Sequence, residues 1–181
     1  SHVNVVVLSF AKPDCTYTKG SLSFVGTGLD FSSDGVVVRD AIRGLKANNP
    51  GTRVLLAVGG ATYTNFAGLN MQCVKDLVAD FGLDGADIDY EPASPSCQRL
   101  SGGGVRCATD AESVDVATKF RAAMPKGQYL LSTASWHVGC YGVGAWAASQ
   151  PTFSQYFGVN LAMAKSAAGS SLDLINIMAY D

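Results

Sequence analysis

The stretch FGLDGADIDYEP, residues 81–92, places four of the chain's 15 acidic residues within eight positions. Between Asp84, Asp87, Asp89 and Glu91 stand only small, apolar or aromatic residues. Side chains alternate on a strand, so Asp87, Asp89 and Glu91 share one face, and Ala86, Ile88 and Tyr90 share the other. Asp84 falls on the second parity, at the strand entrance beside Gly85. Alternate residues lie ~6.6 Å apart, so the three carboxyls form a line. Buried charge without a partner is strongly unfavourable, and such groups share protons or bind a cation. Neighbours in the row then differ in proton affinity, as a general acid working beside an anion requires.

An exposed acidic turn is the ordinary origin of such a cluster, but Phe81, Leu83, Ile88 and Tyr90 indicate burial. A helix with Asp87 and Glu91 one turn apart is cut short by Gly85 and Pro92. Aligned carboxylates would also suit a hard cation such as Mg²⁺. Loss of activity in EDTA would mark that case. The preferred reading has no metal and no cofactor.

Outward from this strand the chain alternates elements. Apolar runs at 3–11, 53–60, 85–91, 128–134 and 172–180 have the character of parallel strands buried on both faces. Helical patterns separate them. Ser33 or Asp34 caps a segment carrying Val38, Ile42 and Leu45 that stops at Asn-Asn-Pro. Val74, Leu77, Val78 and Phe81 recur at helical spacing. Thr109 and Glu112 have capping-box spacing ahead of Val116 and Phe120. A fourth helix is expected over about 159–168. This rhythm predicts right-handed crossovers and a parallel sheet, closed as a (β/α)₈ barrel or open and doubly wound. No G-x-G-x-x-G follows the first strand, which argues against dinucleotide binding. Long loops at 92–108 and 135–158 follow strand carboxyl ends, where α/β active sites are built.

With 181 residues, 48% hydrophobic and 15% charged, the chain has material for one core-forming domain, spanning 1–181. Its net charge of −2, with no Lys/Arg block, excludes a nucleic-acid footprint. No run reaches the ~18 apolar residues of a membrane span. The chain opens on a strand-like run without the regions of a signal peptide, as a processed chain would. The five cysteines match no zinc spacing. Cys97 and Cys107 bracket a Gly-rich loop and are expected to pair. Cys73, in a helical pattern, reads as a small buried hydrophobe. The odd count leaves a free thiol or an intermolecular bond, and together these features point to a secreted protein.

Asp84-Gly85-Ala86-Asp87-Ile88-Asp89-Tyr90-Glu91 resembles the DxxDxDxE signature of family 18 glycoside hydrolases, the chitinases and their relatives. SHVNVVVLSFA resembles that family's second barrel strand. RVLLAVGG, with Gly59 and Gly60, resembles its third, and Met178, Tyr180 and Asp181 fit its sixth-strand Met-x-Tyr-Asp motif. The resemblance implies a TIM (β/α)₈ barrel, incomplete here with about five βα units. The remainder of that barrel would be a partner of this piece.

It also implies hydrolysis of β-1,4-linked N-acetylglucosamine polymers such as chitin, or of N-linked glycans, by a substrate-assisted retaining mechanism. Glu91 would be the acid, Asp89 would orient the acetamido group as an anion, and Asp87 would tune Asp89. Tyr180, Asp181 and Met178 would contact sugar, and Asp84 and Gly85 would be structural. A non-catalytic lectin is the alternative, though Glu91 is retained. Ala57 stands where the family commonly has Ser, which would leave Asp87 short of a hydrogen-bond donor. Trp136 could offer a stacking surface for sugar or simply pack a loop, and His137 reads as an exposed loop residue.

Overall fold

The structure, a computed structural model, describes residues 3–101, 104–140 and 155–180. Its elements are β1 (Val5–Ala11), α1 (Gly35–Asn48), β2 (Arg53–Gly59), α2 (Met71–Asp80), β3 (Gly85–Asp89), β4 (Gln98–Arg99), β5 (Val105–Arg106), α3 (Asp110–Ala123), β6 (Leu130–Trp136), α4 (Leu161–Lys165) and β7 (Leu174–Met178). The five apolar runs form one parallel sheet in the order β1-β2-β3-β6-β7. This is the expected α/β class. The short β4–β5 hairpin lies apart, in the loop that follows β3.

Strand parity sorts the core. Val54, Leu56, Val58, Ala86, Ile88 and Leu131 face outward and pack with Val74, Leu77, Val78, Val116 and Phe120 of the covering helices. The opposite face carries Ala57, Asp87, Asp89 and Ser132. The edge strand β7 leaves Leu174, Ile175 and Ile177 exposed.

Local chemistry sets the boundaries. Asp34 caps α1 by accepting the Val37 N–H, and Asn70 caps α2 by accepting the Cys73 N–H. The capping box expected at Thr109 does not form: Thr109 makes no side-chain cap bond. Glu112 instead accepts a hydrogen bond from the Tyr90 hydroxyl. The fourth helix is shorter than expected, Leu161–Lys165, because Ser166 Oγ bonds the Met163 carbonyl and the Gly169 N–H and turns the chain into a 3₁₀ segment.

Cys97 pairs with Cys107, as the loop spacing suggested. Cys73 is not a simple hydrophobe: it forms a disulfide with Cys15, tying the loop after β1 to α2. Its burial was legible from the helical pattern; its partner was not, because the two cysteines are 58 residues apart and only the α2 docking brings them together. Cys140 is the free cysteine among the described residues.

Gly85 is where the acidic strand enters the sheet. Its φ is +153°, and a Cβ there would sit 1.8 Å from the Leu130 carbonyl oxygen. A Gly85→Ala change therefore strains the backbone and pushes β3 from β6. We expect a loss of about 3 kcal/mol in urea unfolding. An unchanged midpoint would mean that the close β3–β6 approach is not required.

Candidate active site

The row of acids is inward and dry. Asp87 is 3% exposed and Asp89 4%, at the carboxyl half of a central strand flanked by β2 and β6. Glu91 lies past the end of β3, half-buried, with its side chain within hydrogen-bonding reach of Asp89. Tyr90 between them points the other way and is fully buried in the helix-side core.

Asp87 is not left short of donors. In-register pairing sets it opposite Ser132 on β6 and Ala57 on β2. Ser132 Oγ donates to Asp87 Oδ1, and Asn176 Nδ2 on β7 donates to the same oxygen at 2.9 Å. The donor expected from β2 is thus replaced by two from the opposite side. Burial pushes the Asp87 carboxyl above its ordinary value, and these two bonds oppose that rise. Ser132 and Asn176 were missed in the sequence. The available signal was a polar residue at an inward position of each of two apolar strands.

Asp89 behaves differently. Burial, then the nearby Glu91 and Asp87 charges and a Glu91 hydrogen bond, push its carboxyl from 3.8 up to about 8. Its Oδ1 is buried without a hydrogen-bond partner. Burial beside two other carboxyls thus favours the protonated form of Asp89 in the unliganded chain.

An open cavity of about 200 Å³ covers this row, lined by Val7, Ser9, Phe10, Ala57, Asp87, Asp89, Ala134, Asn176, Ile177, Met178 and Tyr180. Met178 and Tyr180 thus reach the site; Asp181 lies outside the described residues. Trp136 does not line the cavity. Its ring stacks on Tyr156, centroids 4.6 Å apart, and packs against a small cluster of Cys97, Cys107, Val138, Phe157 and Val159. His137 is exposed. Among the described residues no group of three His, Cys, Asp or Glu side chains is arranged to hold a metal ion.

The two glycines after β2 shape the rim. A Cβ on Gly59 would lie 2.1 Å from the Asp89 carbonyl oxygen, and the Gly60 N–H donates to that oxygen at 2.9 Å. Only glycine lets β2 come this close to the row.

A larger cavity, about 480 Å³, opens at the amino ends of the strands beside Arg53, Asp84, Lys126 and Asp173. Its carboxylates are committed to the frame. Asp84 Oδ2 accepts the Val54 N–H at 2.7 Å and Oδ1 accepts from Lys46 at 2.9 Å. Asp173 Oδ2 accepts the Leu131 N–H at 2.9 Å and from Arg121 at 3.1 Å. Asp84, fourth member of the signature, is a strand-end brace and not part of the row.

Ser132→Ala removes one of two donors from a buried carboxyl. It should cost about 1–3 kcal/mol of stability. It should also raise the Asp87 titration further, because Ser132 lowers it. Carboxyl-carbon NMR titration measures both aspartates; an unmoved Asp87 would remove Ser132 from this role.

The geometry defines a class: a parallel α/β sheet with a dry carboxylate row at the strand carboxyl ends. Comparison with known proteins narrows it. No family model matches the chain. A chitinase of Plasmodium falciparum is 37% identical over 103 residues, 50% of this chain and 27% of that protein. A GH18 chitinase from Pseudoalteromonas aurantia superposes at TM-score 0.63 with 20% identity, covering 96% of this chain and 58% of that one. A chitinase-like agglutinin from Robinia pseudoacacia superposes at 0.60 with 17% identity, covering 98% and 48%. A mutant GH18 chitinase from Cycas revoluta, in complex with (GlcNAc)₄, superposes at 0.59 with 19% identity, covering 98% and 48%. The chain has a GH18 chitinase-like fold, its five-stranded sheet matching part of that TIM barrel. It spans about half the length of these solved chains.

Proposed function

We propose that this chain carries the acid machinery of a secreted glycoside hydrolase that cleaves β-1,4-linked N-acetylglucosamine polymers with substrate assistance. The carrying observation is Asp89 Oδ1, buried without a partner in the wall of an open cavity. An unsatisfied acceptor there calls for a donor from a ligand, and the N–H of a 2-acetamido group is such a donor.

The acetamido carbonyl oxygen attacks C1 while Glu91 gives its proton to the departing glycosidic oxygen. The C1–O bond breaks and an oxazolinium ion forms. Its positive charge favours the anionic form of Asp89: the proton that Asp89 holds in the unliganded state passes across their hydrogen bond to Glu91 and is the one Glu91 delivers to the leaving oxygen. Water then attacks C1, giving its proton to the Glu91 carboxylate, and the ring oxygen returns to the acetamido group with net retention. Tyr180 would hydrogen-bond the acetamido oxygen, Met178 would floor the site and Asp181 would contact sugar. Ser132 and Asn176 hold Asp87 in place beneath Asp89. No cofactor enters these steps. The two disulfides support export.

Turnover by these 181 residues alone is expected to be slow, because β1 and β7 are sheet edges and the cavity is open. The test uses the intact native protein with N-acetylglucosamine oligomers and their N-deacetylated counterparts, followed by proton NMR. The expected result is a β-anomer first product from the acetylated oligomers alone. An α-anomer first, or equal cleavage of deacetylated oligomers, would overturn the mechanism. Binding without turnover would assign the site to a lectin, a reading favoured by the likeness to the Robinia agglutinin.

A further inference from the structure

The segment that carries Glu91 is fastened at three points to one short stretch of chain. Tyr90, immediately before the acid, is 1% exposed, and its hydroxyl donates to Glu112 in the first turn of α3. Its ring also meets the edge of Phe66, centroids 5.1 Å apart. After the acid, the Pro95 carbonyl accepts the Ala108 N–H at 2.8 Å. Cys97 is then bonded to Cys107, three residues ahead of α3. Residues 107–112 thus hold both sides of a segment that the β3 ladder, ending at Asp89, no longer holds.

We propose that Glu112 is a positioning residue for Glu91, acting through its hydrogen bond to Tyr90, with the start of α3 as the mount for the acid. Tyr90 and Glu91 are adjacent and point to opposite faces, so a rotation that frees the Tyr90 hydroxyl swings the Glu91 carboxyl away from Asp89. This rests on Glu91 as the acid. It adds a residue from a helix that lines no part of the cavity.

Asp89 reports the position of Glu91, since the Glu91 charge and hydrogen bond both raise its titration. Carboxyl-carbon NMR titrations of the unliganded protein are compared for wild type, Tyr90→Phe, Glu112→Ala and Glu112→Gln. Tyr90→Phe removes the bond and keeps the Glu112 charge. Glu112→Gln removes the charge and keeps an acceptor.

Expected is a fall in the Asp89 midpoint by about one pH unit, tenfold in proton affinity, in Tyr90→Phe and Glu112→Ala, with Glu112→Gln close to wild type. An unmoved midpoint in Tyr90→Phe, whatever its melting temperature, would overturn the proposal. So would a Glu112→Gln shift equal to that of Glu112→Ala, which would assign the effect to charge. Should Glu112→Ala not fold, Tyr90→Phe decides alone. Because the titration needs no substrate, absence of hydrolysis in wild type would count against the proposed function and leave this result standing.

Discussion

Glu91→Gln in the intact protein should lower kcat on N-acetylglucosamine oligomers by ~10³-fold, while oligomer affinity changes by less than about threefold. The amide matches the carboxyl in size and can hydrogen-bond, but it has no proton to give the leaving oxygen. Glu91 stands beside Asp89 past the end of β3 and does not line the cavity floor. Its loss therefore removes proton transfer and leaves the sugar-contacting walls intact. Steady-state kinetics beside calorimetric titration separate the two effects. Turnover within tenfold of wild type would remove Glu91 from the acid role. Equal losses of kcat and affinity would make it a binding residue.

Asp89→Asn should act on both chemistry and stability. Asparagine cannot become the anion that the oxazolinium ion requires, so kcat should fall by ~10²-fold or more. The stability effect follows from linkage. The folded carboxyl titrates at about 8 and its ordinary value is 3.8, so the folded state holds this proton more tightly than the unfolded chain. The contribution is fully present below 3.8 and is lost as pH rises through about 8. Wild type should thus lose stability across that window. Asparagine, shaped like the protonated acid, should flatten the slope and match or exceed wild type at its alkaline end. Melting curves across the window measure this, and parallel slopes for the two proteins would mean that Asp89 does not hold the proton assigned to it.

The strands were legible because each is an apolar run bounded by turn residues. β3 was legible down to side-chain direction, since Asp87 and Asp89 against Ala86, Ile88 and Tyr90 is a period-two pattern that only one register can bury. Gly59 and Gly60 were read only as the end of an apolar run that resembles a family strand, and the structure adds the reason for them: the Asp89 carbonyl lies against both. What could not be read was partnership across the sheet. Ser132 and Asn176 meet Asp87 from 45 and 89 residues away, and nothing near either residue announces that bond. Glu112 had the spacing of a helix cap, yet the buried hydroxyl of Tyr90, just past the end of β3, took its carboxylate.

By itself the sequence determined which residues could be strands, which acids share a face, and that this face is inward, because periodicity and hydropathy are local properties of the chain. Only the tertiary structure decided which donors hold Asp87, which acid carries the proton and which cysteine closes on Cys73. Those outcomes depend on distances between strands and helices remote in sequence, and on the water excluded when they pack. Proton affinity at Asp89 is set first by that exclusion, and only then by the neighbouring carboxyls that the order of residues supplies.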